Sequence, residues 1–198
     1  MERSANPTSI DVIASALEPA SLPVSQLSSP DGAMTLMLSD IANAQDVSSR
    51  LGPTRWEQLV SDHHLLVERV LEHHDGQVVR FERDGFLASF NSAHGGLHAA
   101  IDLQRTFSSD GQPDSSGPEL RIGVHSGFVI TGEDDDLLGR NVVLTSRIAA
   151  HAKAEEILVS SALKQYTESD PSFQFEDRGE HHFKGLLGEH VVYSVRWR

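Results

Sequence analysis

Val78-Val79-Arg80-Phe81-Glu82-Arg83-Asp84-Gly85-Phe86-Leu87-Ala88-Ser89-Phe90 is the stretch on which the fold turns. Its centre, Asp84-Gly85, signals a tight turn. Phe86, Ala88 and Phe90 alternate with Leu87 and Ser89, as in a strand leaving a hairpin. A turn alone says nothing of function. A second carboxylate, Asp40, ends another strand-like run, Ala33 to Ser39. Two carboxylates at adjacent strand ends can hold divalent metal, and metal invites phosphate chemistry.

Outward from the hairpin, Trp56, Leu59, Val60, Leu66, Val67, Val70 and Leu71 recur at three- and four-residue steps. That spacing predicts a long helix from Thr54 to about His74, after a short one over Ala44 to Leu51. C-terminal to the hairpin a helix is expected over Ala93 to Phe107, with Leu97, Ala100, Ile101 and Phe107 inward. Ser108 to Pro118 has turn composition. Glu119 to Val124 and Phe128 to Thr131 read as two strands separated by His125-Ser126-Gly127, followed by an acidic loop, Glu133 to Asp136. A helix over Asn141 to Ala152, a strand at Ile157 to Val159 and a helix capped by Ser160 come next. Strands near Phe173 to Asp177 and Val191 to Val195 close the chain. The order β-α-α-β-β-α-β-β-α-β-α-β-β describes an α+β fold with mostly antiparallel pairing. Residues 1–30 are rich in Ser, Pro and Ala and read as a flexible leader, with one short amphipathic helix at Ile10 to Leu17; residues 31–198 form the domain.

Composition narrows the function. The formal charge of −13 argues against nonspecific binding to nucleic acid or an anionic membrane surface. With no cysteine there is neither a disulfide nor a thiolate centre. No apolar run approaches membrane-spanning length and no signal-peptide layout opens the chain, so a cytoplasmic protein is expected. The eleven histidines include three adjacent pairs, and they read as solvated or partly packed side chains rather than zinc ligands.

Six blocks in order carry a family resemblance: Leu38-Ser39-Asp40-Ile41, Arg50-Leu51-Gly52, the Val78 to Phe90 hairpin, Arg121 to Gly127, Asp136-x-x-Gly139 with Arg147, and Phe183-Lys184-Gly185. Over residues 33–196 the chain resembles the class III nucleotidyl cyclase catalytic domain, in its actinobacterial forms above all. The resemblance implies a ferredoxin-like βαββαβ core with added elements and a head-to-tail homodimer with shared sites. Asp40 and Asp84 match the two metal-binding aspartates, with the Ile41 carbonyl completing a site for two Mg²⁺ or Mn²⁺ ions. Arg147 matches the transition-state arginine and Lys184 a phosphate-gripping lysine. Arg80 and Asp136 take the two base-reading positions, a donor and an acceptor suited to the N1 and amino group of adenine. The implied reaction converts ATP to 3′,5′-cyclic AMP and pyrophosphate.

Four positions depart from the family pattern. Val143 replaces the asparagine that contacts ribose. Ala42-Asn43-Ala44-Gln45 replaces the glycine-containing phosphate loop, although the Asn43, Ala44 and Gln45 amides at a helix start can still cradle phosphate. Arg83 replaces a glycine beside Asp84, and Arg80 replaces a lysine. These departures predict a weak or divergent cyclase. They leave two alternatives open: a catalytically impaired nucleotide-binding or regulatory domain of the same fold, and a cyclase for GTP or a pyrimidine nucleotide.

Overall fold

Ala33–Ile41 forms the strand β1, buried nearly throughout because both its faces are covered. The computed structural model describes residues 8–16, 33–108, 118–128 and 135–198, the side chains of 16 and 135–138 excepted. In chain order these form α1 (Ser9–Ala16), β1, α2 (Ala44–Leu51), α3 (Pro53–His73), β2 (Gly76–Glu82), β3 (Gly85–Phe90) and α4 (Ala93–Phe107). There follow β4 (Leu120–Phe128), α5 (Asp135–His151), β5 (Ile157–Ser160), α6 (Ser161–Thr167), β6 (Phe175–His181) and β7 (His190–Val195). The strands pair in the order β2-β3-β1-β4-β5-β7-β6. Every pairing is antiparallel except that of β4 with β5. The first four strands and their intervening helices are the expected ferredoxin-like βαββαβ core, and the fold is the mixed α+β sheet with flanking helices.

The two-residue period of the strands divides the core. Met37, Ile41, Phe86, Phe90, Ile122 and Val124 pack towards Val67 and Leu71 of α3 and Leu97 and Leu103 of α4. On the opposite face Met34, Leu36, Leu38 and Leu87 meet Val142 and Ala149 of α5 and Ile10 and Ile13 of α1. Gly123 lies where α5 crosses the sheet; a Cβ there would stand 2.3 Å from the Ala149 nitrogen.

Expectations change at several points. His125-Ser126-Gly127 does not separate two strands but lies inside β4, paired with Leu36, Thr35 and Met34. Ser and Gly suggested a turn, yet Ser126 hydrogen-bonds Thr35 across the ladder (Oγ to Oγ1, 2.7 Å), and Gly127 admits the Asn141 side chain. Of the second expected strand Phe128 is the end of β4, and residues 129–131 lie outside the described residues, as do 109–117 of the expected loop and 133–134 of the acidic loop; Asp135 and Asp136, expected in that loop, already belong to α5, which begins before the expected Asn141. The hairpin turn is Arg83-Asp84 rather than Asp84-Gly85: Glu82 pairs with Gly85, which begins β3. Arg83 adopts φ 53°, a conformation that costs a side chain about 1 kcal/mol or more.

A further change concerns the histidines. His63 on α3 is 1% exposed, between Leu59 and Val67 on the apolar stripe, with neither ring nitrogen hydrogen-bonded. Burial, and secondarily the charge of His64, lower its pKa to about 3. His125 is also buried, and burial lowers its pKa to about 4 against the opposing Asn141 hydrogen bond. Both pKa values lie below the unfolded value, so the unfolded chain binds the extra protons and stability falls as pH drops below about 6.5. Each ring should cost about 2 kcal/mol by pH 5. His63→Leu should therefore raise stability at pH 7 and flatten the loss between pH 7 and 5, measured by urea unfolding. An unchanged slope would show that His63 does not carry the acid sensitivity.

Candidate active site

The position of Asp40 follows from strand register. Ser39 pairs with Phe86 on β3, which sets Asp40 beside Gly85 and the turn residue Asp84. On its other side Asp40 pairs with Arg121 of β4. Opposed residues of an antiparallel pair project from the same face, so the carboxylate and the guanidinium meet. Gly85 permits the approach: a Cβ there would come within 3.0 Å of the Ser39 carbonyl oxygen and 3.3 Å of the Asp40 Cβ.

Asp40 and Asp84 line one cleft of about 620 Å³. Ile41, Asn43, Ala44, Gln45, Arg83 and Arg121 share its wall. Asp40 is 2% and Asp84 6% exposed, so neither is an ordinary surface carboxylate. Arg121 donates to Asp40 through both Nε (2.5 Å to Oδ1) and Nη2 (2.7 Å to Oδ2). Burial lifts the Asp40 pKa above its ordinary 3.8, while the Arg121 hydrogen bonds and charge pull it down; the charges of Asp84 and Asp11 add to the lift. The Arg121 pKa is raised, chiefly by the hydrogen bond to Asp40. The two directions pull apart, since burial alone favours a neutral Asp40; the bidentate geometry decides for an ionised pair, because both guanidinium donors need an acceptor oxygen.

Asp84 accepts a 2.7 Å hydrogen bond from Ser9 Oγ of α1. Arg83 lines the cleft without an ion pair to Asp84 among the described residues, so its cation is available to the cleft rather than spent on that carboxylate. Asn43 adopts φ 56° and starts α2, whose first amides lack partners within the helix. The donor set fits a hard divalent cation: two carboxylates within reach of each other's charge, with a carbonyl-bearing strand end beside them. Among the described residues no cluster holds three or more His, Cys, Asp or Glu, so the remaining ligands would be carbonyl, water or substrate oxygens.

The other expected residues lie elsewhere. Arg80 is on β2, ion-paired with Glu82 (3.2 Å), and does not line the cleft. Arg147 on α5 donates from Nε to the Lys184 carbonyl (3.3 Å) and faces Asp11 of α1 across 3.9 Å. Arg147 and Lys184 thus come together, away from the cleft wall. Asp136 is in the first turn of α5, its side chain outside the described residues. Val143, at the position where the resemblance implies a ribose-contacting asparagine, lies on α5. Asn141 is committed to β4, its Oδ1 accepting from His125 Nε2 (3.1 Å) and its Nδ2 donating to the Phe128 carbonyl. Sequence reasoning quoted Arg121 but gave it no role, and it gave none to Ser9 or Asp11; partners this distant in sequence are set by register and docking, which leave no local signal.

Removing Arg121 would leave a buried unpaired carboxylate. Arg121→Met should cost about 3 kcal/mol at pH 7. The loss should shrink towards pH 4 as Asp40 takes up a proton, measured by urea unfolding at both pH values. An equal loss at both would assign the effect to packing alone.

Residues 27–196 match the family described as the adenylate and guanylate cyclase catalytic domain. A Rhizobium meliloti protein named "Putative adenylate cyclase 3" is 32% identical over 145 residues, 72% of this chain and 23% of that protein. An uncharacterized Mycobacterium tuberculosis protein is 30% identical over 135 residues, 67% of this chain and 44% of that one. The chain therefore spans less than half the length of these relatives. Among solved structures, an adenylate/guanylate cyclase/hydrolase from Silicibacter pomeroyi superposes with TM-score 0.65 at 25% identity, covering 82% of this chain and 95% of that one. A Trypanosoma brucei adenylate cyclase in its monomeric state gives TM-score 0.72 at 17% identity, over 85% and 91%, a likeness of fold. Among the described residues no helix is long and apolar enough to cross a membrane. With fold, cleft and sequence in accord, the chain belongs to the family of adenylate and guanylate cyclase catalytic domains.

Proposed function

We propose that this chain is a weak, cytoplasmic adenylate cyclase, active as a head-to-tail homodimer. The observation that carries the reading is the pairing of Asp40 and Asp84 in one cleft with Arg83, Arg121 and the start of α2. Two Mg²⁺ or Mn²⁺ ions held by Asp40, Asp84 and the Ile41 carbonyl would supply acidification of the ribose 3′-OH and neutralisation of the triphosphate. The amides of Asn43, Ala44 and Gln45 cradle phosphate oxygens, and Arg83 and Arg121 add positive charge beside them. Held in line, the ribose 3′ oxygen forms its bond to the α-phosphorus as the bond to the β-phosphate oxygen breaks; pyrophosphate departs and the hydroxyl proton passes to water.

Arg147 and Lys184 sit together but off the cleft wall, which supports a site completed by a second copy. The partner's arginine then meets the charge that builds on the α-phosphate, and its lysine grips the leaving phosphates. Arg80 as donor and Asp136 as acceptor read the adenine edge, which requires Arg80 to leave Glu82. The name of the Rhizobium relative supports ATP over GTP. The alternative, a nucleotide-binding regulatory domain, is favoured by the bidentate Arg121 pair, which occupies the carboxylate a metal would need.

Turnover of ATP with Mn²⁺ and with Mg²⁺ tests the reading. Asp40→Ala and Asp84→Ala should abolish cyclic AMP formation, whereas Val143→Asn should raise it by about 10-fold to 100-fold. Mixing Asp40→Ala with Arg147→Ala chains should rebuild one working site per heterodimer. Product unchanged in the aspartate variants would refute the site assignment. Comparing the four ribonucleoside triphosphates decides the base, and nucleotide binding without product from any of them would establish the regulatory domain.

A further inference from the structure

Helix α1 touches both halves of the proposed machinery. Ile10 and Ile13, three residues apart and on one helix face, are wholly buried against Met34, Leu36, Leu38, Leu87 and Val142. Asp40 continues the same face of β1, since it is two residues beyond Leu38. Docking on this strip brings the neighbouring polar residues of α1 to the cleft. Ser9, 4% exposed, donates to Asp84 at 2.7 Å. Its Cβ lies over Gly85, where a side chain would collide with it at 2.8 Å. Asp11 faces Arg147 across 3.9 Å, and its other oxygen is anchored by the Thr8 backbone amide and hydroxyl. Thr8 and Ser9 form part of the cleft wall.

We propose that α1 is an internal plug: docked, it forms part of the cleft wall and holds Asp84 and Arg147, and undocked, it releases both. This rests on the assignment of Asp84 to metal and Arg147 to the cyclase reaction. Two apolar anchors hold the helix while its polar groups meet one carboxylate with a hydroxyl and one guanidinium with a carboxylate. Each polar contact is of the kind that a metal ion or a phosphate would displace. The plug also bears on assembly. A chain whose Asp11 engages its own Arg147 cannot offer that arginine to a partner's site, so docking opposes the shared-site dimer as well as metal entry.

The test reads Mn²⁺ affinity by electron paramagnetic resonance of the free ion, alongside cyclic nucleotide formation, in full-length Ser9→Ala and Ile10→Asn/Ile13→Asn chains. Ser9→Ala, which removes one hydrogen bond to a charged group, should tighten Mn²⁺ binding by about tenfold. The double variant should tighten it at least as much and increase any turnover the parent shows. Tighter binding without product from any variant would uphold the plug and reject the cyclase reading. Unchanged or weaker Mn²⁺ binding in Ser9→Ala, or no binding in either variant, would overturn the plug even if turnover is present. Should circular dichroism show that the double variant does not fold, Ser9→Ala decides alone.

Discussion

Everything at the cleft depends on the register of β1 between its two neighbours. Because Ser39 pairs with Phe86 and Asp40 with Arg121, one strand end gathers a carboxylate from the hairpin turn on one side and a guanidinium on the other. A slip of one residue would turn Asp40 to the opposite face, into the apolar layer held by Met37 and Phe90. The buried side chains that fix that register are therefore also what fixes the chemistry. Glycine contributes at Gly85, the narrow point where β3 meets the end of β1.

The cleft carries an electrostatic conflict. Two carboxylates lie in surroundings that desolvate them, and each has been given a substitute for a cation: Arg121 for Asp40 and the Ser9 hydroxyl for Asp84. A buried carboxylate left unpaired is costly, so these partners stabilise the fold. On the proposed reading they also oppose metal, which would have to displace them or share their oxygens. A guanidinium released from Asp40 would lie where phosphate oxygens need positive charge, so the exchange need not leave Arg121 unpaired.

The sheet, the long helix and the two aspartates were legible because each has a local signature: period two, period 3.6, and carboxylates at strand ends in a recognisable order. Errors fell where tertiary context overrode composition. His125-Ser126-Gly127 has turn residues but lies inside a strand, since Thr35 and Asn141 supply the partners that Ser126 and His125 need. His63 was legible in principle, occupying the i+4 step between Leu59 and Val67, and its polarity hid it. The Arg121, Ser9 and Asp11 contacts span long stretches of sequence and had no local mark. Arg80 shows the reverse limit: the family pattern names a role, while within one chain its side chain is paired with Glu82.

The most direct test of the central claim is anomalous diffraction from crystals grown with Mn²⁺ and a non-cyclisable ATP analogue. Manganese density between Asp40 and Asp84, with Ser9 withdrawn from Asp84 and Arg121 turned towards phosphate, is the result that the strand register predicts. Manganese bound elsewhere, with the Asp40–Arg121 pair intact beside a bound nucleotide, would contradict it.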